Sequence, residues 1–349
     1  MTMHDEEPRL IMGDRADGDD SVANGPGDAA HVTGDIVVGV DGSKESFAAL
    51  RWALGEAGVS GQPVNAVFGW TASWDMGDQP DNDEGWDRMR ERISAKLRAW
   101  VDDVCSTLPR KPDDIALTSV RASGAVALLQ IGADAQQIVV GRRTMGRVMR
   151  WFSGSTSSTL TSESVVPVTV VRMCEPDEDD VKQGIAKALG DERHGVNLGQ
   201  DAGATGASHH DRLIVAGVDA SPSNSSILRF AAREARLHGQ PLHVIFCWQI
   251  KDLGVVPGYE RAVAPMDVNQ RHAEHILDKV IERADLGPDL DVRPHAFHIR
   301  ADHGLVNASK YAAHLILGSR GLTGLDAHFL GSVSNRVVEF AECTVTVVH

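Results

Sequence analysis

Short runs of apolar residues alternate along this chain with longer stretches in which apolar side chains recur at helical spacing. The first run spans 35–41, Asp-Ile-Val-Val-Gly-Val-Asp. Ser43 can cap a following helix whose apolar side carries Phe47, Leu50, Trp52 and Leu54. The same reading predicts strands over 63–70, 114–120, 137–141 and 167–172. Helices are predicted over 84–108, from Ala125, and from near Ser155. Strands that are apolar throughout and alternate with helices predict a parallel sheet covered on both faces.

The pattern then repeats. Ile36-Val-Val-Gly-Val-Asp41-Gly-Ser43 matches Leu213-Ile-Val-Ala-Gly-Val-Asp219-Ala-Ser221. Val64-Asn-Ala-Val-Phe-Gly-Trp70 matches Leu242-His-Val-Ile-Phe-Cys-Trp248, and Val166-Pro-Val-Thr-Val-Val-Arg172 matches Cys343-Thr-Val-Thr-Val-Val-His349. Asp41 and Asp219 are 178 positions apart (219 − 41), too far for a solenoid unit, so the chain reads as two tandem domains. The expected organisation is an acidic, disordered tail over 1–34, a first domain over 35–173, a flexible acidic linker over 174–211 and a second domain over 212–349. The linker holds one weak helical stretch near 181–189.

A net charge of −15 argues against broad nucleic-acid binding, which needs a basic face. The four cysteines, Cys105, Cys174, Cys247 and Cys343, show no C-x-x-C spacing and read as reduced thiols. With no apolar leader and no run of about 18 apolar residues, the expectation is a soluble, cytoplasmic protein with no membrane insertion.

One motif carries chemistry. Gly318-Ser-Arg320-Gly321 is followed by nine residues and then Gly331-Ser332, between an apolar strand and a helix. Glycines let the backbone approach an anion, and a helix N-terminus offers free N–H groups and a favourable dipole. The first repeat carries a variant, with Gly141 and Arg143 ahead of Thr144, then Gly154-Ser155. Thr144 stands where the second repeat has Gly321. Asp41 and Asp219 end the first strands, and Gly141 and Gly318 end the fourth. If those strands are neighbours at the reversal of strand order, each aspartate faces its glycine loop. The carboxylate can then accept from an adenine amino group or a ribose hydroxyl. The rival reading of each aspartate is a local helix cap. Paired histidines, 272 with 275 and 295 with 298, lack a partner at metal-binding spacing.

These residues resemble the universal stress protein family, in its tandem two-domain actinobacterial form, over most of the chain. The resemblance implies two Rossmann-like domains of the adenine nucleotide alpha hydrolase-like type, each a five-stranded parallel sheet with helices on both faces. It implies ATP binding, with or without Mg2+, by the G-x-x-G, nine residues, G-S motif that Gly318, Gly321, Gly331 and Ser332 match. It also places Val218, Asp219, Ala220 and Ser221 around the adenosine, Leu317 and Val333 at the loop edges, Arg320 on phosphate and Cys247 near the base. The first repeat offers Val40, Asp41, Gly42, Ser43, Val140, Gly141, Arg143, Gly154 and Ser155. Thr144 departs from the motif, so the second domain is expected to be the main site. The family's role in stress responses is implied in the same way, as is pairing of the two domains through their terminal strands. No P-loop, dinucleotide fingerprint or serine elbow is present, and no general base stands beside the loop, so fast hydrolysis is not indicated. The alternatives are an interaction protein with vestigial sites and a slow ATPase.

Overall fold

The structure, a computed structural model, describes residues 34–71, 82–108, 115–142, 156–172, 213–221, 224–319 and 330–349. The expectations for the tail before Gly34, the linker after Arg172 and its weak helix fall outside these residues. So do Arg143, Thr144, Gly154, Ser155, Arg320 and Gly321. The chain groups into two compact units, the first ending at Val171 and the second running from Arg172 to His349.

The first unit contains β1 (Ile36–Gly39), α1 (Lys44–Ser60), β2 (Val64–Gly69), α2 (Asp83–Ser106), β3 (Ile115–Val120), α3 (Gly124–Ile131), β4 (Gln137–Gly141), α4 (Thr156–Glu163) and β5 (Val168–Val171). The second contains β6 (Leu213–Val218), α5 (Asn224–Leu237), β7 (Leu242–Trp248), α6 (Met266–Ala284), β8 (Val292–His298), α7 (Ala301–Ala308), β9 (Ala312–Gly318), α8 (Ser332–Phe340) and β10 (Thr344–Val348). Every strand pair within a unit is parallel. The strand order is β3-β2-β1-β4-β5 in the first unit and β10-β9-β6-β7-β8 in the second. Each is the doubly wound, Rossmann-like sheet that the alternating pattern predicts. The chain winds outward from its first strand, then returns to the other side of it. The crevice therefore opens at the C-terminal ends of β1 and β4, and of β6 and β9.

The two-residue period of the strands sorts side chains to opposite faces. In the second unit Ile214, Ala216, Val244, Phe246 and Trp248 pack with Leu228 of α5 and Leu277 of α6. Val215, Ile245, Leu315, Leu317 and Val347 pack on the other face with Leu305 of α7 and Val337 of α8. In the first unit Ile36, Val38, Ala66 and Phe68 pack with Leu50 of α1 and Ile93 of α2. Close crossings repeat as well. A Cβ on Gly39 would lie 2.8 Å from Leu128, and one on Gly217 would lie 2.8 Å from Leu305. Glycine in the first strand lets the crossover helix press its leucine onto the sheet, where a buried leucine contributes about 1.5–3 kcal/mol.

No helix among the described residues is long and apolar enough to cross a membrane. Cys105, Cys247 and Cys343 are buried.

Candidate functional site

Each first strand ends in an aspartate whose carboxylate organises the next turn. Asp41 Oδ1 accepts from the Ser43 amide at 2.9 Å and the Ser43 hydroxyl at 2.5 Å. Ser43 in turn caps α1, its Oγ accepting from the Ser46 amide at 3.2 Å. Asp219 Oδ1 accepts from the Ser221 amide at 2.8 Å. A second residue pins each loop from inside. Ser46 Oγ accepts from the Asp41 amide at 3.3 Å and donates to the Ser43 carbonyl at 2.9 Å. The corresponding Asn224 accepts from the Asp219 amide at 3.2 Å, while its amide nitrogen donates to the Ser221 carbonyl at 2.9 Å and to the Asp219 carbonyl. Asn224 is 3% exposed, so these bonds hold the backbone beside Asp219 without competition from water.

Across the crevice, β9 ends at Gly318. The base of the glycine loop is closed by two hydrogen bonds, from the Gly331 amide to the Ser319 carbonyl at 2.8 Å and from the Ser334 hydroxyl to the Gly318 carbonyl at 2.6 Å. Gly331 is the N-cap of α8 at φ −57 and ψ 149, with no side-chain cap. Any residue can adopt that conformation, so a positive φ is not what calls for glycine here. The first amides of α8 and its positive dipole end point out beside Ser332.

Between these parts lies an open cleft of about 150 Å3, lined by both strand ends and by residues of α7 and α8. It brings together Val218, Asp219, Leu317, Gly318, Gly331, Ser332 and Val333, seven of the residues singled out from sequence. Ser221 sits in the Asp219 turn rather than on the cleft wall, and Ala220 lies within that turn. Asn224, Ser334, Ala301 and Leu305 also line it and were not anticipated. The available signal was a polar residue five positions after the aspartate in both repeats.

Cys247 is set behind α7. It is 8% exposed, packed where a Cβ on Gly304 of α7 would touch its sulfur, and it does not line the cleft. Burial, with Asp302 nearby, pushes its thiol up to about 12, which leaves it an inert packing group. In the first repeat the same contact is made by Gly69 against Gly124 and Ala127, so the bulk has moved from helix to strand. Asp302, on α7 beside the cleft, faces Arg300 at 2.9 Å, Arg336 of α8 at 3.4 Å and His303 at 3.9 Å. Burial opposes its charge, but the Arg300 hydrogen bond and the surrounding cations prevail and hold the carboxyl below its ordinary value. The Asp302–Arg336 contact ties together the two helices whose first turns line the cleft.

The sequence model of the universal stress protein family matches residues 33–172 and again 212–349. The chain belongs to the universal stress protein family. A universal stress protein of Mycolicibacterium smegmatis is 28% identical over 321 residues, covering 90% of this chain and 96% of its own length. One from Mycobacterium bovis is 25% identical over 317 residues, covering 89% of this chain and 96% of its own. Among solved structures, a universal stress protein from Archaeoglobus fulgidus superposes with a TM-score of 0.53 at 17% identity, covering 90% of this chain and 96% of that one, a likeness of fold.

The two copies of the universal stress protein fold are furnished differently. In the first, Val40 is buried, Gly42 adopts φ 83, and the Trp100 ring lies where a Gly42 Cβ would come within 2.6 Å. Trp100 also meets Phe47 and Phe68 edge-on, at centroid distances of 5.9 and 5.7 Å. Val140 is buried at the end of β4, and Gly141 presses on the first turn of α1, where its Cβ would lie 2.9 Å from Glu45 Cβ and closer still to the Glu45 carbonyl.

Proposed function

We propose that this universal stress protein binds an adenine nucleotide, ATP foremost, in the cleft of its second domain. Occupancy then alters a surface that a protein partner reads, making the protein a cytoplasmic stress-response regulator. The observation that carries the reading is the facing of Asp219 and the uncapped start of α8 across one cleft. The donor set suits the ligand. Asp219 can accept from ribose hydroxyls or the adenine amino group. Val218, Leu317, Ala301 and Leu305 give an apolar wall. The α8 amides, Ser332 and the ends of the glycine loop suit phosphates, with Gly321 and Arg320 proposed as further contacts. Among the described lining residues Asp219 is the one carboxylate, and it could share in holding any Mg2+ that comes with the phosphates.

Calorimetry with ATP on the full chain, with AMP and cyclic AMP as competitors, tests this. The expected result is one site per chain, weakened about tenfold to a hundredfold by Asp219→Ala, the loss of one or two buried hydrogen bonds. Two equal sites would overturn the asymmetry between domains. No binding of any of the three nucleotides would favour the interaction-protein reading.

We further propose that the terminal strands β5 and β10, Val-Thr-Val-Val and Thr-Val-Thr-Val-Val, pair the two domains within one chain. Unpaired edges of that composition invite a partner, and the tether favours the intramolecular one. Val347→Pro removes a ladder donor and is expected to increase the domain separation seen by small-angle scattering. An unchanged scattering profile and melting cooperativity would refute the pairing.

A further inference from the structure

The repeats differ at two polar pairs that bridge neighbouring strands of the sheet. In the first, Thr118 on β3 donates to Asn65 Oδ1 on β2 at 2.9 Å. At the corresponding places in the second, His243 on β7 and His295 on β8 hold Nδ1 and Nε2 3.0 Å apart, their rings stacked at 5.2 Å with 8° between planes. Likewise the Gln137–Thr169 pair at 2.9 Å is replaced by His314–Thr346 at 2.7 Å. The first domain uses side chains that do not titrate where the second uses imidazoles.

The His243–His295 pair has room for one bridging proton. One ring donates and the other accepts; a second proton would set two donors against each other and break the contact. His243 is 4% exposed, and its Nε2 is buried without a hydrogen-bond partner, so a cationic ring there would leave a charged donor unsatisfied. The charged and titratable groups facing His243 besides His295 are Arg293 on β8, which opposes protonation, and Asp291 just before it, which favours it. Beyond His295, the Phe297 ring stacks at 6.0 Å. Burial first, then His295 and Arg293, hold His243 down at about 4, and burial and Arg293 lower His295 in the same direction. Both folded values lie below the ordinary imidazole value of about 6.5. The stability the pair confers is therefore complete above that value and is lost as pH falls toward 4.

Position gives the pair its consequence. The strand β8 lies at the edge of its domain's sheet and is bonded to β7 alone among the strands of that domain. It ends at His298, and Ile299 and Arg300 lead straight into α7, whose Ala301 and Leu305 form one wall of the cleft. Arg300 also holds Asp302, the residue that ties α7 to α8.

We infer that the His243–His295 pair is an acid-sensitive catch on the edge strand β8, and that its release loosens α7 and lowers nucleotide affinity at the cleft. The second half rests on the nucleotide reading above; the catch itself does not. Acidification between about pH 6.5 and 5 frees β8 from β7 in the second domain, while the Asn65–Thr118 pair of the first is indifferent to pH.

The test is deuterium exchange on the full chain from pH 7.5 to 5.0, corrected for intrinsic exchange rates. Peptides spanning 292–308 are expected to lose protection by up to about tenfold per pH unit for each linked proton. The double variant His243→Asn/His295→Thr, which carries the first repeat's pair, is expected to keep it. Equal loss in both proteins, or no loss in the wild type, would overturn the catch. Ring resonances of the wild type give a second reading that needs no variant. Either imidazole protonating near its ordinary value while β8 stays protected would refute the inference. ATP affinity measured over the same pH range separates the two halves. A fall in the wild type that the double variant lacks supports the coupling, and affinity that ignores β8 release overturns it. Loss of β8 protection in a chain that binds no nucleotide at pH 7.5 would sink the nucleotide reading and uphold the catch.

Discussion

Gly331→Val is expected to abolish ATP binding while the protein stays folded. Gly331 has φ −57 and ψ 149, a conformation valine adopts readily, and it contributes no side-chain cap that could be lost. The backbone geometry therefore does not oppose valine there. The cleft does. Gly331 lines it at the point where the first amides of α8 emerge, and its own amide is bonded to the Ser319 carbonyl at 2.8 Å. A branched side chain there stands between those amides and any phosphate. The expected loss is at least about a hundredfold in affinity, equivalent to roughly 2.7 kcal/mol. Calorimetry beside a thermal melt checks both halves. A folded variant with unchanged affinity would refute the assignment of α8 as the phosphate pole.

Gly141→Ala is expected to destabilise the first domain by about 2–4 kcal/mol, the cost of overpacking a site that cannot yield. The added methyl would overlap the Glu45 backbone at the start of α1, and backbone cannot rotate away as a flexible side chain does. Gly55→Ala is the matching control. Gly55 lies inside α1 with open space around it, and alanine there is expected to stabilise by about 0.5–1 kcal/mol. Urea unfolding followed by tryptophan fluorescence suits the comparison, because Trp52, Trp70, Trp74, Trp86, Trp100 and Trp151 precede Val171 and Trp248 alone follows it. Equal unfolding midpoints for Gly141→Ala and the wild type would show that β4 and α1 are less closely fitted than the structure has them.

The contrast between these glycines marks where sequence reading reaches its limit. Element order was legible because buried parallel strands are written as unbroken apolar runs, and because each run occurs twice. The strand expected over 35–41 is Ile36–Gly39, while that over 137–141 is found as expected. Asp219, Gly318 and Gly331 were legible as a group because strand order alone brings the ends of β6 and β9 together. Asn224 and Ser334 were not, because their importance lies in which backbone groups they reach, and that depends on the path of the chain. The apolar wall from Ala301 and Leu305 was hidden for a related reason: a crossover helix some 80 residues downstream of Asp219 supplies it. Gly141 shows a packing role beside its motif role. Its motif position suggested a phosphate loop, and the spacing gave no sign of the tight fit against Glu45 that the same glycine also makes. The His243–His295 pair looked like two unrelated histidines until parallel pairing of β7 and β8 set them side by side.

Photocrosslinking with an azido-adenine analogue of ATP, followed by peptide mapping of the full chain, tests the central claim most directly. The account predicts saturable labelling, displaced by ATP, confined to peptides spanning 213–248 and 299–334. Saturable labelling confined to 35–71 or 115–172, or none that ATP displaces, would contradict it.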